Sequence, residues 1–229
     1  MVKKRLVAYM GKLNNKKIAE GINVARRNAS RLLEDAEMLL DSKRYASAVS
    51  LAILSIEESG KEHILRRLAI ASTDEEELQI WKDYRSHTKK NIMWFMPQLV
   101  KDGARYLDDF KSLFEPEAEH PYVLNQLKQI SLYTDCLGRA HWSEPSAVID
   151  EELARMLVKI AKLFVKGRNM EEKEIELWVK HLGKVKNSDN KKMKEALANW
   201  YAEMEELGLA PKGGSLADFN QWLGIEFDE

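Results

Sequence analysis

Apolar residues recur every three or four positions along most of the chain, which is the period of an amphipathic helix. One such run extends from about Lys16 to Leu40, and a second extends from about Tyr45 to Ala71. The polar link between them, DSKR, is so short that the second helix is expected to return antiparallel to the first. No stretch alternates convincingly between apolar and polar residues, so we predict an all-α fold built on a long antiparallel helix hairpin.

The rest of the chain continues this helical pattern in two parts. A third helix is predicted to begin at Ser72 or Thr73, where acidic residues follow a capping side chain, and to kink or end near Pro97. Helices at 122–137 and 146–165 follow, and more polar helical stretches come after Gly167. We expect a helical domain over residues 1–167, with a basic N-terminal segment. A helical C-terminal extension over residues 168–229 would pack on this domain or on a second subunit.

The second helix carries an unusual charged insert, IEESGKEH, within its apolar sequence. At about 100° per residue, Glu57 falls near the centre of the apolar arc and Lys61, one turn on, stays inside it. Glu58 sits at the edge of the arc, and Gly60 leaves room for a neighbouring helix. The pattern therefore predicts a charged pair on a surface that faces the core.

The third helix repeats this feature, because His87 lies on its apolar stripe and Lys90 follows one turn later. Polar groups that face a core usually contact each other, since each would otherwise lose several kcal/mol of hydration. We therefore expect Glu57, Lys61, His87 and Lys90 to form one cluster. This contact is expected whether the cluster has a structural or a catalytic role. The two roles differ in whether the cluster faces a cleft.

Three further polar positions are candidates for the same cluster. Tyr133 and Asp135 flank the apolar stripe of the helix predicted at 122–137, where side chains are usually half-exposed. Asn28 lies in the middle of the first helix, although asparagine is a poor helix former. Each position is also compatible with an ordinary structural role.

Composition and charge exclude several classes of protein. The single cysteine, Cys136, rules out an internal disulfide framework and a zinc thiolate cluster, and no phosphate-binding loop or HExxH motif occurs, so we expect no metal and no cofactor. No apolar run reaches the length of a membrane span or a secretory signal, so a cytoplasmic location is expected. The formal net charge of -1 conceals nine Lys or Arg residues against one acid in residues 1–31, and seven acids against one Lys in residues 203–229. Three interpretations follow. The basic end attracts a polyanion, the two ends attract each other across a dimer, or both ends are simply solvated.

Several of these segments together resemble the AbiV-type abortive-infection proteins of bacteria. The resemblance covers roughly residues 14–165 and depends on the order and spacing of short motifs. These are Asn28 before a helical LLxDA run, EExGK at Glu57, Glu58, Gly60 and Lys61, HxxK at His87 and Lys90, and YxD at Tyr133 and Asp135 ahead of Pro145. The tail from about Glu171 has no recognised counterpart.

The resemblance implies a HEPN-type helical bundle, commonly paired into a homodimer with a functional cleft near the interface. It also implies an anti-phage role in which the protein arrests growth or translation in an infected cell. Many HEPN domains are metal-independent ribonucleases with an arginine four to six positions before a histidine. This chain departs from that motif, because Arg85 and Arg139 precede His87 and His141 by only two positions.

Three hypotheses about function follow. In the first, the protein cleaves or sequesters RNA, with His87 as general base or acid, Lys61 and Lys90 stabilising the phosphorane, Glu57 orienting one of these groups, and a basic Lys3–Arg31 segment attracting the RNA backbone. In the second, a non-enzymatic module binds a phage or host protein, such as a phage-encoded trigger or inhibitor. The third is a small-molecule or nucleotide pocket, for which no phosphate loop is visible.

Overall fold

The computed structural model describes residues 7–165, 167–211 and 213–224. The part of the basic segment at residues 1–6, and the acidic end from residue 225, lie outside the described residues. The helices are α1 (Asn15–Asp41), α2 (Tyr45–Ala69), α3 (Asp74–Arg85), α4 (His87–Lys90), α5 (Met96–Lys101), α6 (His120–Leu132), α7 (Pro145–Val148), α8 (Glu151–Phe164), α9 (Glu172–Leu182), α10 (Asn190–Glu206) and α11 (Leu216–Leu223). Two 3-10 helices cover Ile92–Phe95 and Leu107–Phe114, and two strands, β1 (Asp135–Leu137) and β2 (His141–Ser143), form an antiparallel hairpin.

The predicted long hairpin is the framework of the fold. Helix α1 begins where the Asn14 side chain accepts a hydrogen bond from the backbone N–H of Lys17, and a three-residue turn joins it to α2. Lys43 takes the left-handed conformation in this turn, at φ 58°. The two helices are also joined by a buried hydrogen bond of 2.8 Å from Ser55 Oγ to the carbonyl of Ala29. The all-α class and the antiparallel hairpin are thus confirmed.

The other helices cover the two ends of this hairpin. One apolar core forms where α6 and α8 pack against α2, and a second forms where α3 and α9 pack near the start of α1 and the end of α2. The C-terminal helices are joined to the hairpin by specific hydrogen bonds. Asn23 exchanges two of these with the backbone of Met170, at 2.7 and 2.8 Å, and Trp178 Nε1 donates to the carbonyl of Arg66. The division at residue 167 remains a prediction.

The third helix ends earlier than its apolar period predicts. Thr73 caps α3 as expected, but α3 ends at Arg85 because Ser86 has an extended backbone, at φ -78° and ψ 128°. Pro97, where we expected a kink or an end, instead lies in the first turn of α5. Proline is tolerated there because the first N–H groups of a helix have no partner within the helix.

The region between residues 132 and 150 was also predicted incorrectly. The helix expected over 122–137 ends at Leu132, and the chain then forms the β1–β2 hairpin, which the apolar pattern did not predict. Gly138 and Ala140 take left-handed conformations in its turn, at φ 55° and 63°. The helix expected over 146–165 is divided at Ile149, whose extended backbone is followed by a new cap at Asp150. The spacing of apolar residues alone does not reveal such a break, because the helical segments before and after it each keep an apolar face.

Gly60 allows α4 to approach α2 closely, as its position in the charged insert indicated. A Cβ atom at Gly60 would lie 1.6 Å from the carbonyl oxygen of Lys90. No side chain fits in that space, and the obstructing atom belongs to backbone. The contact therefore sets the position of α4, and with it the positions of His87 and Lys90.

We predict that Gly60→Ala destabilises the protein by about 1–3 kcal/mol, because the added methyl group forces α4 away from α2. In an exposed helix the same change would stabilise by about 1 kcal/mol. Urea unfolding measures the difference. The matched control is Gly167→Ala, since nothing lies within 4 Å of a Cβ at Gly167. Equal or greater stability of Gly60→Ala would show that the close approach is wrong.

Candidate functional site

The Glu57 carboxylate lies at the centre of a buried charged cluster. Glu57 is 1% exposed, and three groups from two other helices surround its two oxygens. Lys128 Nζ lies 2.5 Å from Oε1, His87 Nδ1 lies 2.7 Å from Oε2, and Lys90 Nζ lies 3.5 Å from Oε2. The predicted contact between Glu57, His87 and Lys90 is therefore present in the structure.

Hydrogen bonds outside the cluster hold α4 and α6 in place around Glu57. Asn91 Nδ2 donates to the carbonyl of Pro121 at 3.1 Å, and Trp94 Nε1 donates to the carbonyl of His120 at 2.8 Å. These bonds connect the segment after α4 to the start of α6. Near the other end of α6, the hydroxyls of Ser50 and Ser131 lie 2.8 Å apart. The cluster is thus formed by a rigid part of the bundle.

The geometry around His87 fixes the tautomer of its ring. Nδ1 lies 2.7 Å from the Glu57 carboxylate and 2.9 Å from Lys128 Nζ. An ammonium can only donate and a carboxylate can only accept, so an unprotonated Nδ1 would place two lone pairs against each other at the shorter distance. We therefore assign the hydrogen to Nδ1, which donates it to Glu57, and the Lys128 ammonium then donates to Glu57 and not to the ring. The lone pair of the neutral ring is then on Nε2.

His87 is accessible although its partner is buried. Its side chain is 52% exposed, whereas that of Glu57 is 2% exposed. Both of its close polar contacts within the described residues are at Nδ1, so Nε2 has no hydrogen-bond partner among them. A carboxylate that orients an imidazole through Nδ1 while Nε2 is open is an arrangement suited to general acid–base chemistry. The cluster therefore meets the surface at one atom that can transfer a proton.

Burial affects the ionisation of Lys90. Burial lowers the pKa of Lys90 and nearby Lys61 lowers it further, while Glu57 and Glu58 oppose both effects. Three lysines and two glutamates make up the charged interior, counting Lys128, so cations exceed anions by one when all are ionised. The base of the site is thus electropositive.

Lys61 lies beside the cluster but does not pair with Glu57, contrary to the prediction of one shared network. Its ammonium pairs with Glu58 at 2.5 Å and lies over the ring of Tyr84, 5.0 Å from the centroid. The side chains of Lys61 and Glu58 are each 17% exposed. Glu57 and Glu58 both lie one turn from Lys61 on α2, but the oxygens of Glu57 already contact Lys128, His87 and Lys90, so Lys61 forms a separate ion pair with Glu58.

Lys128 is the member of the cluster that the sequence prediction missed. It is 3% exposed and makes the shortest contact to Glu57. The sequence does contain a signal for Lys128. Leu124, Lys128 and Ser131 are at positions i, i+4 and i+7 and so share one helical face, and all three are buried. A lysine on a buried stripe was the signal, and it is the same signal that identified His87 and Lys90.

The structure does not bring Asn28, Tyr133 and Asp135 into the cluster. Asn28 Oδ1 accepts from the guanidinium of Arg31, one turn along α1, at 3.0 Å. Tyr133 is 60% exposed at the end of α6, and Asp135 is exposed in β1. Within the described residues, no hydrogen bond or ion pair joins any of the three to Glu57. Tyr133 and Asp135 were predicted to lie on a face of the helix at 122–137, but α6 ends at Leu132, so neither residue is in that helix.

The described residues contain no group of three or more His, Cys, Asp or Glu side chains arranged to hold a metal ion. None of the helices in the described ranges is both long and apolar enough to cross a membrane. The cluster and the neighbouring Lys61–Glu58 pair together combine two carboxylates with three ammonium groups, which is a donor set that disfavours a cation.

The long helix hairpin and its charged core define an all-α bundle with one exposed, carboxylate-oriented histidine. A family model described as AbiV, of the HEPN class, matches residues 17–166, and the chain belongs to this family. Membership associates the chain with abortive-infection defence. No curated protein and no solved structure matches the chain.

Helix α2 also carries a histidine outside the cluster. Burial, and to a lesser extent the charge of Arg67, lower the pKa of His63 to about 4 against the opposing charges of Glu62 and Asp83. In the unfolded chain the pKa of a histidine is about 6.5. The unfolded state therefore binds more protons than the folded state between these two values.

We predict that Glu57→Ala destabilises the protein by about 3–5 kcal/mol, because it leaves Lys90 and Lys128 buried without a counter-charge. Chemical denaturation measures the loss. Glu37→Ala is the control, because Glu37 pairs with Lys162 on the surface at 3.0 Å, and we expect a loss below about 1 kcal/mol. A loss for Glu57→Ala as small as that of the control would mean that the cluster is hydrated.

We also predict that stability falls as the pH is lowered from about 6.5 to about 4, because folding then requires His63 to release a proton. The contribution is at most about 3 kcal/mol, at 1.36 kcal/mol per pKa unit. Denaturation of His63→Leu at pH 7 and pH 4.5 isolates it, since this variant should lose less stability over the interval. His141→Leu, on the exposed hairpin, should behave as wild type. The same acid sensitivity in both variants would contradict the assignment.

Proposed function

We propose that this AbiV-family protein acts in defence as a metal-independent endoribonuclease, with His87 as the general base. The observation that carries the proposal is the exposed His87 ring held by a buried carboxylate, with Nδ1 2.7 Å from Glu57 Oε2. Such a pairing fixes both the orientation and the tautomer of the ring before any substrate binds. A histidine with a purely structural role would more commonly be buried with its partner.

In the proposed reaction, His87 Nε2 accepts the proton of a ribose 2′-hydroxyl. The 2′-oxygen forms a bond to the adjacent phosphorus, the bond from phosphorus to the 5′-oxygen breaks, and that oxygen takes a proton from solvent. The products are a 2′,3′-cyclic phosphate and a 5′-hydroxyl, and no metal ion takes part.

The lysines have an indirect part in this proposal. The side chains of Lys90 and Lys128 are 9% and 4% exposed, so they do not lie where a phosphate could contact them. Their positive potential still favours the negative charge that develops on the phosphorane, because it acts through a medium of low dielectric constant. Lys61, at 17% exposure, contributes in the same way.

Binding of RNA is supported by the charge on α1 and its N-terminal flank. Lys12, Lys16, Lys17, Arg27 and Arg31 are exposed there. Contacts of this kind bind the phosphate backbone without reading sequence, and they weaken as salt rises. The earlier residues of the basic segment, Lys3 to Arg5, lie outside the described residues.

Arg85 does not replace the arginine of the common HEPN ribonuclease motif. Its guanidinium donates to the carbonyls of Tyr9 and Trp81 at 2.7 and 2.8 Å and lies against the ring of Trp81. This observation favours the second candidate function, a non-enzymatic defence module that binds a phage or host protein. The exposed β-hairpin supports the same alternative, since Trp142 is 78% and Leu137 is 44% exposed. In either case we propose a cytoplasmic homodimer, as HEPN domains often dimerise.

We predict that the purified protein cleaves RNA at low salt with a chelator present, and that His87→Ala lowers the rate by about 10²–10⁴. The exposed position of His87 should leave the fold intact, which thermal unfolding checks. Gel analysis of fragments, with tests for a cyclic phosphate end, gives the readout. In cells, the same variant should no longer arrest growth.

The control variant is His141→Ala, which removes an exposed histidine from the hairpin. It should cleave as wild type does. Equal activity of folded His87→Ala would reject His87 as the base. Intact RNA with wild type would reject the ribonuclease and leave the binding module, in which Glu57 and its partners are structural.

A further inference from the structure

A cavity lies on the side of α2 that faces away from Glu57. Its volume is about 420 Å³, and it is bounded by α2, the segment around Met93, the end of α8 and α11. Small-molecule pockets have volumes of roughly 300–1,000 Å³. Ser59, which lines the cavity, is rotated by about 160° around the helix from Glu57. The cavity is therefore separate from the proposed catalytic face, although Lys90 contributes to both.

The apolar walls of this cavity are rich in flat and polarisable side chains. Trp94, Phe164 and Trp222 supply aromatic rings, and Met93 and Met96 supply thioethers. Aromatic rings prefer edge-to-face or offset contacts with other rings, and methionine sulfur packs well against ring edges. These walls suit a flat aromatic occupant.

One wall carries polar groups that have no hydrogen-bond partner among the described residues. Ser59, His63 and Arg66 are at positions i, i+4 and i+7 of α2 and so share one face. Ser59 Oγ and Arg66 Nη1 are buried, and neither hydrogen-bonds to any of the described residues. More than nine-tenths of buried polar groups in proteins have a partner. Two unpaired donors on one wall of a cavity are therefore suited to an acceptor that enters it.

The charge of this wall favours an anion. Arg66 and Lys90 are cationic, and the acid in the lining, Glu62, lies between two arginines, with hydrogen bonds from Arg26 at 2.8 and 3.1 Å and from Arg66 Nε at 3.4 Å, so the cations remain in excess. His63 adds no charge at neutral pH, since burial lowers its pKa to about 4. The guanidinium of Arg66 also stacks over Trp178 and Trp200, 5.0 and 5.6 Å from the ring centroids, which holds it in place.

We propose that this cavity binds an aromatic small-molecule anion. The ring system lies among Trp94, Phe164 and Trp222, and the anionic group lies against the wall that Ser59 and Arg66 form. This binding site goes beyond the proposed ribonuclease, and it requires neither RNA nor His87. Because α11 contributes Trp222, the site includes a part of the chain that the family match does not cover.

The test uses 1-anilinonaphthalene-8-sulfonate, an aromatic anion whose fluorescence rises in apolar sites, titrated into the full chain. Ser59→Leu should weaken its binding at least about tenfold, because the larger side chain fills the cavity and removes a donor, while the melting temperature stays equal or rises. Leu163→Glu provides a second variant, since Leu163 is 62% exposed at the cavity rim and its replacement adds a repelling charge without affecting the core.

Competition separates this cavity from a non-specific apolar surface. Naphthalene-2-carboxylate should displace the probe at a concentration about tenfold lower than its neutral amide does. Trp142→Ser, which removes the most exposed tryptophan from the hairpin, should bind the probe as wild type does. The proposal is overturned if the amide competes equally well, if Ser59→Leu and Leu163→Glu both bind as wild type, or if only Trp142→Ser loses binding.

Discussion

The rest of the structure around the site depends on the neutralisation of one buried carboxylate. Glu57 lies on the face of α2 that the bundle covers, and a charge there is tolerated only if groups from neighbouring helices approach it. Lys128 from α6 and Lys90 and His87 from α4 meet this requirement. Two otherwise separate segments are thereby held at fixed positions relative to α2. The interaction stabilises the arrangement and also leaves a ring nitrogen exposed to solvent.

Close approach of the backbone makes this neutralisation geometrically feasible. The carbonyl of Lys90 occupies the space that a side chain at position 60 would need. The break at Ser86 turns the chain so that α4 crosses α2 there instead of continuing α3 away from it. His87 then starts a new helix, with its ring between Glu57 and the surface. The geometry of the site therefore depends on Gly60 and on the helix break at Ser86, although neither residue contacts Glu57 through a charged group.

The opposite face of α2 shows the reverse situation. Around Glu57 every charged group has a partner, whereas Ser59 and Arg66 each leave one buried donor without a partner in the part of the chain that the structure describes. A single helix thus has one face whose charges are mutually satisfied and another whose donors are not. Lys90 reaches both, since it pairs weakly with Glu57 at 3.5 Å and also lines the cavity. Occupation of the cavity would therefore affect the charge distribution near the exposed histidine.

The sequence by itself determined the all-α class, the long hairpin and the positions of Glu57, His87 and Lys90 on core-facing stripes. It could do so because helical periodicity is a local property, and because a charge on an apolar stripe requires a partner wherever the fold places it. The short motifs also indicated the family that the match over residues 17–166 establishes.

Tertiary structure decided which charges pair, and it did so through distances that no local pattern encodes. Lys128 became the principal partner of Glu57 because α6 crosses α2 at that turn, while Lys61 pairs with Glu58, the other carboxylate within its reach on α2. Tyr133 and Asp135 do not join the cluster, because α6 ends at Leu132 and the chain then forms a β-hairpin. Helix ends, crossing points and unfilled space depend on contacts between segments distant in sequence, and only the folded chain brings those segments together.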